Sequence, residues 1–285
     1  MALRVGDAGS GSVPDAAGPA AGTGQAVSGD GRRGFSAALG RFFSASPGGE
    51  FFALGSRAHL ASIGAVGAAV AGLVIAGRRM GPTGRRRTRH LLVAALIGQE
   101  AMYHGWRARN GTWTPKQMLP FHLCSTLIWV DTATLLRPSA LGRDLGYYWG
   151  LAGATQAMAT PDVGAYGPKH FRHVQFFVSH GLLVAVPVWH LVVDGHRPTA
   201  SGALRAFGVL LAQGAVVFGI NRRLGSNYLY INGKLETASL LDKLPEWPRY
   251  IPIMAGLAGG AFLLCWAPFG LADAVRSRRP VRRPA

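Results

Sequence analysis

Long apolar runs joined by short, arginine-rich connections limit the folds open to this chain more than any other feature. A helix needs roughly 20 predominantly apolar residues to cross the hydrocarbon of a bilayer. About seven runs approach that length: His59–Ala76, His90–Trp106, Leu119–Leu136, Leu145–Ala159, Phe171–Val193, Leu204–Ile220 and Tyr250–Gly270. They predict an all-α, polytopic membrane bundle of about seven transmembrane helices. The fourth run is short and rich in glycine, so a tilted, buried or broken helix is expected there, with Thr160-Pro161 as the break.

Composition divides the chain. Residues 1–54 are mostly Gly, Ala, Ser and Pro with no sustained apolar run, which predicts a disordered tail. Residues 55–272 hold the bundle and 273–285 a basic C-terminal tail. No charged segment followed by an apolar core marks a cleaved signal peptide. A formal charge of +17 would point a soluble protein toward nucleic acid. Here the arginines cluster between apolar runs, which instead fits control of topology, and no nucleic-acid partner is expected. Arg78, Arg79, Arg85, Arg86, Arg87 and Arg89 would share a side with Arg137, Arg143, Arg197, Arg205 and the tail. The positive-inside rule then places the chain in the cell membrane with its N-terminus outside and its C-terminus in the cytoplasm.

Ionisable groups are costly at membrane depth and persist where they face a protein interior, a cavity or a reactive centre. Glu100, Tyr103, His104 and Arg107 recur at i, i+3, i+4 and i+7, so they share one helix face and permit a Glu100–His104 contact. That face reads equally as a polar seam between helices. The third run carries His122, Cys124 and Asp131. In a continuous helix His122 and Cys124 point apart, while Cys124, Ile128 and Asp131 share a face. A partner that activates Cys124 must therefore come from another helix. The fifth run offers His173 and His180 on one stripe, with Ser179 beside it. His180 is a candidate base for Cys124. Metal or haem ligation by His173 and His180 competes, although no HxxxH or HExxH spacing occurs, and neither metal nor cofactor is expected. Gln156 and Asp162 lie on the polar stretch between these runs, and Asn227 opens a Tyr-rich segment where Arg222 and Arg223 could receive lipid headgroups. Cys265 reads as a small buried apolar residue.

Several segments carry a resemblance: LPFHLC (Leu119–Cys124), YYWGLAGATQA (Tyr147–Ala157), TPD (Thr160–Asp162), FRHVQFFVSHG (Phe171–Gly181), NYLY (Asn227–Tyr230), ASLLD (Ala238–Asp242) and WPRY (Trp247–Tyr250). In this order and spacing the chain resembles the YwaF-like integral membrane proteins, whose eukaryotic relatives are multi-pass phospholipid acyltransferases. The resemblance implies Cys124 as nucleophile, His180 as its base, and transfer of a fatty acyl group between membrane lipids through a thioester. Asp131 or Asp162 would orient a histidine, and Gln156 or backbone N–H groups would receive the oxyanion. The competing reading is a transporter or channel in which Glu100, His104, His173 and His180 line a polar path.

Overall fold

The computed structural model describes residues 28–48, 51–234 and 243–277. The chain divides into two units, residues 1–40 and 41–285. Helix α1 (Ser28–Phe42) falls almost wholly in the first. The second holds α2 (Arg57–Arg79), α3 (Pro82–Arg109), α4 (Leu123–Leu136), α5 (Ala140–Leu145), a π-helix (Gly146–Ala154), α6 (Thr155–Ala159), α7 (Phe171–Val192), α8 (Ala200–Leu224), a 3₁₀ turn (Tyr228–Tyr230) and α9 (Tyr250–Ser277). No strand occurs among the described residues. The ASLLD segment, Ala238–Asp242, lies outside them.

Four helices are long and apolar enough to cross a membrane: α2, α7, α8 and α9. Only 6% of the apolar window of α2 is buried against the rest of the protein, against 61% for α7. In water such an apolar, unburied helix would be unstable, whereas lipid supplies the missing contacts. Thus α7 is the interior helix and α2 a peripheral one.

The predicted segments need correction at several ends. The tail expected through residue 54 includes the helix α1, and Phe43 and Phe52 belong to the second unit and pack within it, 5.1 Å from the Phe171 ring and 5.4 Å from the His59 ring. These aromatics supply apolar contacts that the surrounding Gly, Ser and Ala cannot. The second run begins earlier, because Pro82 at the first helical position starts α3 upstream of the arginines. The third begins later, at Leu123. Thr126 Oγ1 donates to the Pro120 carbonyl at 2.8 Å and Leu119 N to the Tyr228 hydroxyl at 2.9 Å, so these bonds hold Leu119–His122 outside the helix. The last helix runs past the expected boundary at 272 to Ser277.

The glycine-rich fourth run became the centre of the bundle. Its π-helix touches α4, α5, α6, α7, α8 and α9. Tyr148 and Trp149 are buried there, and their polar ends reach outward to carbonyls of Thr199 (2.8 Å) and Ala206 (3.1 Å). Tyr147 O–H donates to the Cys265 carbonyl at 2.9 Å. Burying large aromatics whose polar tips find backbone acceptors ties α8 and α9 to this segment without leaving an orphan donor.

The basic connections meet at one end. Arg85 donates to the carbonyls of Gly77 (3.2 Å) and Val193 (3.3 Å), Arg89 pairs with Asp194 at 2.6 Å, and Arg205 with Asp144 at 2.6 Å. Arg197 pairs with Asp273. Of the arginines expected to share a side, Arg85 and Arg89 meet the end of α7, Arg205 meets α5 and Arg197 meets α9. Asp194 is 4% exposed and also receives His190 Nδ1 at 2.7 Å. Burial pushes its carboxyl up, but the bonds from His190 and Arg89 outweigh burial and hold it below the ordinary carboxylate value.

Candidate functional site

The opposite end of α4 from the basic connections carries the site. Cys124 is the second residue of α4, and its helix has no side-chain cap. First-turn N–H groups lack helical partners, and the aligned peptide dipoles favour negative charge beside them. Cys124 therefore sits in the first turn of α4 rather than in mid-helix as the longer run implied. His122 is the N-cap, outside the helix, so helical periodicity does not separate it from Cys124 in the way expected.

His122 closes the site on one side. Its Nδ1 accepts from Leu229 N at 3.4 Å, and its ring stands 5.0 Å from Tyr228 and 5.2 Å from Tyr230. Burial lowers its pKa to about 4, partly opposed by the Asp162 carboxylate. It is neutral at physiological pH and available as an acceptor. The Tyr228–Tyr230 turn is itself pinned: Tyr228 O–H donates to the Pro115 carbonyl at 2.6 Å, and Asn221 Nδ2 donates to the Tyr228 carbonyl at 2.9 Å.

The α7 side is built around Arg172, which the motif reading did not single out. Its Nη2 donates to the Asp162 carbonyl at 2.9 Å and its Nη1 to Gln175 Oε1 at 3.1 Å. The guanidinium lies over the rings of Tyr103 (5.1 Å) and Phe176 (5.4 Å). Gln175 continues inward to Gln99 of α3 at 3.0 Å. His180 stacks on Phe176, with ring centroids 4.1 Å apart. Its Nδ1 lies 2.9 Å from the Phe176 carbonyl. A carbonyl only accepts, so Nδ1 carries the proton and Nε2 keeps its lone pair. Helices α4 and α7 pack against each other, the adjacency that a Cys124–His180 pair requires.

Tyr230 links the two sides. Burial raises its pKa to about 12, helped by negative charge on Asp162 and Cys124 and opposed by Arg172. The charges of Cys124, Asp162 and Arg172 thus all act on one tyrosine. A lone arginine at a helix start was the available sequence signal. Nothing local showed that a turn more than 50 residues later would meet it.

Other expected site residues lie elsewhere or are occupied. Asp131 is fully buried and both carboxylate oxygens lack a partner, so it orients no histidine. It faces Gly146, where an added Cβ would come within 2.7 Å of Oδ1. Gln156 is exposed and donates to Thr160 Oγ1 at 2.9 Å, because the short α6 turns it outward. Asn227 spends both ends within its own loop, on Gly233 O (2.8 Å) and Asn232 N (3.1 Å). His173 turns to Ser62 of α2 at 3.0 Å. Glu100 meets His104 at 3.3 Å, as the spacing allowed, and His104 Nδ1 accepts Trp113 Nε1–H at 3.0 Å. The proposed Glu/His path is thus engaged at separate places along the bundle. Among the described residues no three His, Cys, Asp or Glu side chains gather as a metal site.

The arrangement offers a thiol at a helix N-terminus, a neutral imidazole on the adjacent helix, a guanidinium and a tyrosine hydroxyl. That set suits nucleophilic acyl transfer on an ester with an anionic headgroup. The model of the TMEM164 family, a family of membrane proteins, matches residues 53–266, well over half of the chain. Comparison with curated proteins and with solved structures gives no match.

Proposed function

Because the chain belongs to the TMEM164 family, we propose that it is a multi-pass membrane acyltransferase working through Cys124 and His180. The single observation carrying this reading is the placement of Cys124 in the uncapped first turn of α4, a helix that packs against α7, which presents His180 with Nε2 unprotonated.

In this reading His180 Nε2 takes the Cys124 proton and the thiolate attacks a lipid ester carbonyl. The ester C–O bond breaks as the leaving alkoxide takes the proton back from His180. The acyl chain remains on sulfur as a thioester. The hydroxyl of a second lipid then gives its proton to His180 and attacks, and the thiol is restored. Ester is exchanged for ester, with no redox change and no soluble cofactor. Arg172, beside the site, would receive a phosphate headgroup. Seven crossings follow if α3, α4 and the α5–π–α6 segment also span the bilayer. The basic end then lies in the cytoplasm and the site near the outer leaflet.

A lipid-like thiol-reactive probe, applied in proteoliposomes, tests the assignment. Labelling should disappear in Cys124→Ala and persist in Cys265→Ala, whose sulfur lies on α9. His180→Gln should slow labelling by about 10²-fold or more, in the range of a removed general base. Equal labelling of Cys124→Ala and wild type ends the reading.

A further inference from the structure

The Tyr228–Tyr230 turn contains two consecutive non-glycine residues in the left-handed region, Leu229 at φ 59° and Tyr230 at φ 54°. Such conformations are strained for side chains with a Cβ and persist where the surroundings over-determine them, often at functional sites. Here the surroundings do so. Leu229 N donates to His122 Nδ1, Tyr230 N to the Asn227 carbonyl at 3.1 Å, and Tyr250 O–H to the Tyr230 carbonyl. The backbone on both sides of Tyr230 is therefore held.

Its side chain is not. The hydroxyls of Tyr147, Tyr148, Tyr166, Tyr228 and Tyr250 each donate to a backbone carbonyl, and those of Tyr103 and Tyr230 donate to none among the described residues. The Tyr230 hydroxyl has no hydrogen-bond partner among the described residues, although the residue is half-buried. Its ring leans on His122, two positions before Cys124, and the charge of Cys124 reaches it. A strained backbone thus holds an unused donor whose ring lies against His122, the N-cap of the helix that carries the nucleophile. That is the form of a preorganised oxyanion donor, which costs no reorganisation when charge develops.

We propose that the Tyr230 hydroxyl is the side-chain donor that stabilises the oxyanion formed when Cys124 attacks an ester carbonyl. This rests on the Cys124–His180 reading. As the thiolate–carbon bond forms, the carbonyl π pair moves onto oxygen, and the Tyr230 O–H donates to that oxygen without giving up its proton. When the pair returns, the ester C–O bond breaks and the tyrosine is released unchanged. The same donor serves the second tetrahedral species, from which the C–S bond breaks. The bonds around Leu229 and Tyr230 hold the residue in place, and its hydroxyl is spent on no backbone acceptor among the described residues.

The test uses the full-length protein in proteoliposomes containing phosphatidylcholine with a fluorescent acyl chain and a lysophospholipid acceptor. Tyr230→Phe removes one oxygen and leaves the ring on His122. Two rates are compared: alkylation of Cys124 by iodoacetamide, which has no oxyanion, and formation of hydroxylamine-sensitive acyl-Cys124. The expected result is unchanged alkylation with acyl transfer lowered by about 10²–10³-fold, the usual effect of losing one oxyanion donor. Acyl transfer within a few-fold of wild type overturns the inference. So does a parallel fall in both rates, which makes Tyr230 a structural residue. If the wild type itself forms no acyl-Cys124, the failure lies with the dyad, and the inference falls with it.

Discussion

The packing of the π-helix on α7 can be measured through Gly150. Pro187 lies inside α7 and has no N–H, so the Leu183 carbonyl four residues earlier loses its helical donor. Gly150 approaches that carbonyl directly. A Cβ at residue 150 would stand 2.5 Å from Leu183 O, 3.2 Å from Pro187 Cγ and 3.5 Å from Leu127 Cδ2. The first distance lies far inside van der Waals contact, and a backbone oxygen cannot rotate away as a side chain can. Small residues at such crossings let helices in lipid pack closely. Gly150→Ala must therefore separate the π-helix from α7, and an overpacked methyl of this kind costs about 1–3 kcal/mol. Alanine also gains helix propensity over glycine, by up to ~1 kcal/mol, which offsets part of the loss. Gly64→Ala on α2 isolates the packing effect, because it shares the propensity gain while nothing lies within 4 Å of its added Cβ. Equilibrium unfolding in mixed SDS micelles, followed by tryptophan fluorescence, should place Gly150→Ala about 1–3 kcal/mol below Gly64→Ala. Because Leu127 of α4 also touches this position, acyl transfer should fall with stability in the same variant. Equal stabilities would show that the π-helix and α7 do not meet as described and would remove this link between α4 and α7.

Two further outcomes follow from buried polar groups. His122 has its pKa lowered from 6.5 to about 4 in the folded protein, so the unfolded state binds more protons across that interval. Its contribution to stability is present above pH 6.5 and is lost as pH falls through about 4. His122→Gln, which keeps an acceptor for Leu229 N, should flatten the stability profile over that window, and an unchanged profile would refute the burial argument. Asp131 is fully buried with neither oxygen bonded, so Asp131→Val, which leaves no polar atom without a partner, should raise stability in the same unfolding assay by about 1 kcal/mol. A fall in stability would reveal a partner for the carboxylate.

Much of the helical content could be read from one dimension. Lengths of apolar sequence marked the helices because a bilayer demands them. Arginine spacing anticipated which connections gather at one end, since charge is excluded from hydrocarbon whatever the packing. The i, i+4 spacing of Glu100 and His104 predicted their contact because helix geometry alone brings them together. Local chemistry could not settle the start of α4. Leu119 and Pro120 are held off the helix by Tyr228 and Thr126, and the Tyr228 bond requires a loop from the far side of α8. That displacement moved Cys124 from mid-helix to a helix N-terminus, which changes its chemistry.

Residue types therefore determined that this chain forms membrane-spanning helices and carries one cysteine among polar neighbours. Tertiary structure decided which neighbours count. It set Asp131 in the buried interior and Gln156 at the surface, although both had looked like site residues. It also brought Tyr230 against His122 and set Arg172 between Asp162, Gln175 and Tyr103. The physical reason is range. Hydrophobic length and charge exclusion act on each segment separately and leave their mark in order along the chain. A hydrogen bond or an oxyanion contact depends on distances of a few ångströms between segments, and only packing sets those.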